Sequence, residues 1–189
     1  FRRVLFRSGV QKVGDALDVK RIPAVKGQGL PAYDPRVYKG MGVTFCSSPM
    51  GADHTAGAAI YKRPGLDPEF DYGDVFEKRG KKRLSYELQI LVGALDMLGA
   101  CYFIGPSQAT LERVANLLKA KYGWELSWKD LYEKAKKMIK NELKFNEIAG
   151  FSKEDNKLPD FFYDESSKPT QKEWDFEKNE FYSFWEGKL

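Results

Sequence analysis

The chain has 189 residues, of which 42% are hydrophobic and 31% charged, the proportions of an ordinary soluble globular protein. A chain of this length can bury roughly 70% of its unfolded surface in one core, and its longest apolar runs are far too short to cross a bilayer. Lys and Arg number 31 against 27 Asp and Glu, a net charge of +4, which excludes neither sign of partner until the charges are placed along the chain.

The first eight residues, Phe1-Arg2-Arg3-Val4-Leu5-Phe6-Arg7-Ser8, read as the translation of a sequencing-library adapter, so they are set apart from the fold. Val4-Leu5-Phe6 is much too short for the apolar region of a signal peptide. Without Arg2, Arg3 and Arg7 the balance falls from 31 against 27 to 28 against 27, or +1, and the basic excess that nucleic acid would require is gone. Two basic runs remain, residues 78–83 and 134–140, and both read as solvated faces.

Gly9 to Asp18 reads as the tail of a helix. Lys20 to Pro35 carries Pro23, Pro31 and Pro35 and is expected to be extended or turning. Within it, Lys26-Gly27-Gln28-Gly29 lacks the spacing and the Lys-Ser/Thr of a phosphate loop and reads as a plain turn. Gly40 to Gly57 is rich in small residues, with short helical pieces at most. Residues 63–74, with Pro64-Gly65 and Asp67-Pro68, form another loop.

Three strong helices are expected next. In the first, Leu84, Leu88, Leu91, Val92, Leu95 and Leu98 recur with helical period, and Gly99 stands at the C-terminal cap. In the second, Ser107 caps the start, Leu111, Val114, Leu117, Leu118 and Tyr122 form the buried face, and Gly123 ends it. In the third, Ser127 and Asp130 approximate a capping box ahead of Leu131, Ala135, Met138, Ile139 and Leu143. Residues 150–170 are irregular, and an amphipathic segment from Trp174 to Trp185 follows. No strand is expected, so the fold class is mainly α.

Two segments carry the residue types of chemistry. Residues 47–57 hold the chain's single histidine, His54, among Gly, Ala and Ser residues that let backbone and ligand come close. Asp53 and Thr55 flank it as hydrogen-bonding partners. On spacing alone a lone histidine reads first as a structural residue, and the small neighbours narrow that margin without reversing it. The second segment, Asp96-Met97-Leu98-Gly99-Ala100-Cys101, closes the strongest helix. A carboxylate is badly placed at a helix C-terminus, whose dipole favours cations, which suggests a partner for Asp96 outside the helix. An acceptor-only group suits adjacent N–H donors on a heterocycle; a helix cap followed by a buried cysteine is the plainer reading. With two cysteines, Cys46 and Cys101, no disulfide framework is expected, and a reducing compartment such as the cytoplasm is.

Taken together and in order, these segments resemble the tungsten-dependent aldehyde:ferredoxin oxidoreductase family. The similarity is carried by residues 25–36, by Lys39-Gly40-Met41-Gly42-Val43-Thr44, by residues 48–57 around Asp53-His54-Thr55, and by Asp96 to Cys101. Tyr122-Gly123-Trp124 and Asp155-Asn156-Lys157-Leu158-Pro159 add support. The likeness runs from about Gly9 to about Leu158. Ala100 departs from the pattern, which has Leu there, and Cys46 matches no family ligand and is read as structural.

The resemblance implies that residues 9–189 form the helical C-terminal domain of a longer chain whose N-terminal domains are missing here. It implies tungsten on two pterins, with molybdenum as the alternative metal, and a [4Fe-4S] cluster. Asp96, Gly99, Ala100, Cys101, Asp53 and Thr55 would then bind cofactor, Cys101 would be a cluster ligand, and His54 would lie at the metal and substrate. Asp96 and Cys101, five residues apart, are at most ~18 Å apart when extended, so one short loop could serve pterin and cluster together. A small aldehyde as substrate, ferredoxin as electron acceptor and a homo-oligomer are the implied partners, without nucleic acid or membrane. Relatives acting on hydroxy-acids or aromatic acyl-CoA esters are the near alternative, and a non-catalytic helical scaffold the distant one.

Overall fold

The computed structural model describes residues 7–62, 66–67 and 69–187. Phe1 to Phe6, Pro64-Gly65 and Pro68, on which part of the adapter and loop readings rest, lie outside the described residues.

The first helix, α1, covers Gly9–Ala16. A two-residue antiparallel ladder follows, β1 (Ala24–Val25) and β2 (Gln28–Gly29), paired Ala24 with Gly29 and Val25 with Gln28. Lys26 and Gly27 both have positive φ, 51° and 79°, the backbone of the two-residue hairpin turn whose twist matches its strands. The turn was expected; the ladder was not, because two residues a side leave no alternation to read.

At the centre lies α2, Lys39–Ser47, buried at every position. Its close packing depends on glycine. A Cβ at Gly40 would stand 1.8 Å from the Ala59 carbonyl oxygen, and one at Gly42 would stand 2.4 Å from the Trp174 ring. Lys39, only 4% exposed, spends its ammonium on the Glu173 carbonyl at 2.7 Å and on the Asp175 carboxylate. Arg36 similarly ties the chain ahead of α2 to the C-terminal segment, donating to Asp34 and to the Glu165 and Ser166 carbonyls.

Three longer helices pack beside it: α3 (Lys81–Asp96), α4 (Gln108–Tyr122) and α5 (Trp128–Ile148). Leu84, Leu88, Leu91 and Leu95 of α3 meet Leu111 and Ala115 of α4 and Leu131, Ala135 and Ile139 of α5 in one core. The expected caps are present. Thr110 N–H donates to Ser107 Oγ at 3.2 Å, and Ser127 and Asp130 exchange side-chain-to-backbone bonds of 2.8 and 3.3 Å. Leu117 and Tyr122, placed on the buried face of α4 by periodicity, are exposed at 68% and 54%, and Leu98 is exposed beyond the end of α3. The face of α4 that meets α3 and α5 is narrower than the apolar stripe. Lys81 also departs from its expected solvated place: it is buried, donating to the Tyr72 and Gly73 carbonyls at 2.7 and 3.2 Å.

A second core surrounds α2. Met41, Val43, Phe45 and Cys46 meet Leu158, Phe162, Trp174, Phe176, Phe181 and Phe184, so the C-terminal amphipathic segment wraps α2 as an aromatic strap. That strap is made of turns and a short 3₁₀ piece, Phe184–Glu186; a short helix, α6 (Phe161–Asp164), precedes it. Tyr86 and Trp185 touch both cores, and the Trp185 indole donates to the Ser47 carbonyl at 2.8 Å. The described residues are thus mainly α. None of their helices is long and apolar enough to cross a membrane.

Candidate functional site

The small-residue loop after α2 is held from below by the hairpin. Lys26 Nζ donates to the Ser48 carbonyl at 2.7 Å, and Gln28 Nε2 to the Ala52 carbonyl at 3.3 Å. Burial lowers the Lys26 ammonium to about 8, with Cys46 and Asp155 working weakly the other way. Gly51 adopts φ +92°, and a Cβ there would stand 2.5 Å from the Val25 carbonyl oxygen, so loop and hairpin backbones can touch only through glycine. From the other side, Asn146 of α5 donates to the Pro49 carbonyl at 2.6 Å.

So anchored, the loop presents its polar residues in different directions. Asp53 Oδ1 accepts from Thr55 N–H at 2.8 Å and from Thr55 Oγ1 at 2.7 Å. The two flanking residues therefore bond to one another. His54 between them is exposed, its ring stacked on Tyr33 at 5.8 Å and 25°.

Asp96 reaches its place through the end of α3. Gly99 has φ +65°, Ala100 N–H donates to the Leu95 carbonyl and Gly99 N–H to the Asp96 carbonyl, both at 3.0 Å. This is a Schellman ending, with Ala100 packed against the three-helix core. It turns the chain so that Cys101 emerges exposed, while Asp96 stays over the gap between α3 and α5. Cys46 is sealed in the second core, and burial pushes its thiol well above the usual range, as its structural reading implies.

A cleft of about 490 Å³ opens between the loop, α3 and α5. Asp53, Asp96 and Glu142 all line it, with Gln89 and Gly93 from α3 and Met138, Ile139 and Phe145 from α5. Partial burial, and then the charge of Asp53, hold the Asp96 carboxyl above the ordinary range. Burial, and then Asp96, do the same to Glu142. The cleft thus joins Asp53 to Asp96 across two segments distant in sequence. Neither His54 nor Cys101 lines it. Among the described residues, no group of three or more His, Cys, Asp or Glu side chains is arranged to hold a metal ion.

Gln89 and Glu142 were not singled out from sequence. The signal for Gln89 was an amide inside the apolar run Leu88-Gln89-Ile90-Leu91-Val92. Gln89 is 3% exposed, its Nε2 donates to Ser47 Oγ at 2.8 Å and Ser85 Oγ at 3.0 Å, and its Oε1 has no partner. The cleft itself offers the acceptors of the Asp96 carboxylate and its neighbours beside apolar walls. Those are the groups that a flat heterocycle with N–H donors on its edge needs.

Comparison with known proteins identifies relatives of the chain. The family described as aldehyde ferredoxin oxidoreductase, domains 2 and 3, matches residues 6–185. The chain is 30% identical over 148 residues to a tungsten-containing aldehyde ferredoxin oxidoreductase of Pyrococcus horikoshii, covering 75% of this chain and 23% of that protein. It is 28% identical over 144 residues to the protein of the same description from Thermococcus kodakarensis, with the same coverage of 75% and 23%. The corresponding Pyrococcus furiosus protein is 29% identical over 143 residues. The chain therefore spans less than a quarter of the length of these relatives.

Proposed function

The chain belongs to the aldehyde ferredoxin oxidoreductase family, and we propose that it is the helical C-terminal part of a tungstopterin and iron–sulfur enzyme that oxidises an aldehyde to a carboxylate, with ferredoxin as electron acceptor. The reaction takes an aldehyde and water to a carboxylic acid, two electrons and two protons. One observation carries the reading: the Asp96 carboxylate, an acceptor, lines a cleft whose other wall is apolar side chains of α5, an arrangement that suits the donor edge of a pterin. When bound, tungstopterin supplies the two-electron chemistry and the cluster the one-electron exit. Among the described residues no complete ligand set for a metal ion is present.

The chain's own residues divide the remaining work. Asp96 would accept N–H bonds from the pterin ring; burial, and then the charge of Asp53, favour its protonated form, and N–H donors would favour the carboxylate. Asp53 and Thr55, locked to each other, hold the loop that carries His54. His54, exposed and stacked on Tyr33, is free to hydrogen-bond to the reacting oxygen and move a proton, work suited to an imidazole. Cys101, exposed just past the Schellman turn, supplies one thiolate toward a cluster that needs four ligands. The other three ligands would come from the rest of the protein, in a Cys-x-x-Cys-x-x-x-Cys element.

The test uses the full-length protein. His54→Ala is expected to lower aldehyde oxidation with an artificial acceptor by ~10²–10⁴-fold, with tungsten and iron contents unchanged. A rate within about twofold of wild type would return His54 to a structural role.

A further inference from the structure

We infer that Gln89 is a positioning residue: it fastens both ends of the loop that carries His54 to α3, the helix that carries Asp96. The inference rests on the role proposed for His54 and names what fixes its loop on that helix.

The loop leaves α2 at Ser47 and returns along the same helix. At the outgoing end, Gln89 Nε2 donates to Ser47 Oγ at 2.8 Å. At the returning end, Gly57 lies against the same side chain. A Cβ at Gly57 would stand 3.0 Å from Gln89 Cγ, 3.5 Å from the Gln89 backbone nitrogen and 3.5 Å from Thr44 Oγ1. Two residues later the chain passes Gly40 at the Ala59 carbonyl. One buried side chain, 3% exposed, thus meets the loop where it starts and where it closes. Lys26, Gln28 and Asn146 hold the loop from the hairpin and from α5; Gln89 holds it from α3. Asp96 lies seven residues further along α3 on the same face, about 10.5 Å of helix away.

The direction of each hydrogen bond shows what the amide supplies. Thr44 Oγ1 donates to the Gly40 carbonyl at 3.1 Å, so Ser85 Oγ is the donor to Thr44 Oγ1 at 2.7 Å. Ser47 Oγ donates to the Val43 carbonyl at 2.7 Å. A hydroxyl has one hydrogen, so both serine oxygens beside Gln89 can only accept from it. The amide turns its NH₂ toward them, 2.8 Å from Ser47 and 3.0 Å from Ser85. Its carbonyl end, Oε1, is buried with no partner, which costs stability. An apolar side chain of the same bulk would continue the run from Leu88 to Val92 without that cost. What the amide adds, and an apolar side chain would not, is the bridge from α3 to the start of the loop.

The experiment uses full-length protein purified with its cofactor. Gln89→Met keeps the bulk and removes the donor; Ser47→Ala cuts the same bond from the loop side. Each is made in the wild-type and the His54→Ala backgrounds, with a circular dichroism melt to show that it is folded. Two quantities are read: amide hydrogen exchange of the peptide covering residues 48–57, and aldehyde oxidation with an artificial acceptor per mole of bound tungsten. Gln89→Met is expected to speed exchange in that peptide while the peptide of α4 keeps its rate. It is expected to lower turnover ~10–10²-fold, the effect of a misplaced catalytic group. Once His54 is alanine the same change should cost less than about twofold, because residues that act through one another are not additive. Should Gln89→Met fail to fold, Ser47→Ala is read in the same way. Unchanged exchange of residues 48–57, wild-type turnover, or an equal loss of turnover in both backgrounds overturns the inference and leaves the role of His54 standing. If His54→Ala itself keeps turnover within about twofold of wild type, that role falls and the inference with it.

Discussion

Gly40 shows how tightly single residues are specified around α2. Its missing side chain is where the Ala59 backbone passes, with the carbonyl oxygen 1.8 Å and the carbonyl carbon 2.9 Å from an ideal Cβ. A backbone neighbour cannot rotate away as a side chain would, and α2 is buried all round. Gly40→Ala should therefore lower stability by about 1–3 kcal/mol or more, despite alanine's better helix propensity. Urea unfolding of the 189-residue chain would measure it. A change smaller than about 0.5 kcal/mol, the range of ordinary surface substitutions, would mean that the packing around Ala59 is not as described. Asp96 drew notice in the sequence as a carboxylate at a helix C-terminus, and Asp53 as a hydrogen-bonding neighbour of His54; the structure brings the two to one cleft. Gln89, which ties α3 to α2 through Ser47, was hidden because an amide within an apolar helix reads as an interruption.

At the scale of elements, α3 and α5 were readable because leucine periodicity and capping residues both mark them, and α4 because Ser107 and Gly123 bracket it. The extent of the buried face was less legible. Leu117 fits the stripe of α4 but is 68% exposed, whereas Phe181, in a segment with no regular structure, is fully buried. The strap could not be foreseen, since turns have no period and its partners on α2 lie more than a hundred residues earlier. α2 was hidden by Gly40 and Gly42, which weaken helix propensity while permitting the close contacts that hold it. These two phenylalanine and leucine positions give a paired test. Phe181→Ala should cost about 3–5 kcal/mol, and Leu117→Ala should change stability by less than about 0.5 kcal/mol, both from urea midpoints at constant slope. Equal losses at the two sites would contradict the assignment of the strap to the second core.

For the whole molecule, the mainly helical class was accessible from periodicity, and the family from short motifs in the right order. The site was accessible only in part, because its three proposed actors point to different places. Asp96 opens on the cleft, while His54 and Cys101 are exposed outside it. Met97, Leu98, Phe103 and Ile104 are exposed on the same stretch as Cys101, Phe103 at 90%. In the function proposed above, the cluster at Cys101 would take its other ligands from the rest of the protein, and the whole protein would hold tungstopterin and one cluster. A helical scaffold with the same fold would need none of them. Elemental analysis of the full-length protein, purified anaerobically from cells supplied with tungstate, separates these accounts most directly. The account predicts tungsten together with about four iron atoms per chain, as one [4Fe-4S] cluster requires; folded protein that contains neither tungsten nor iron would contradict it.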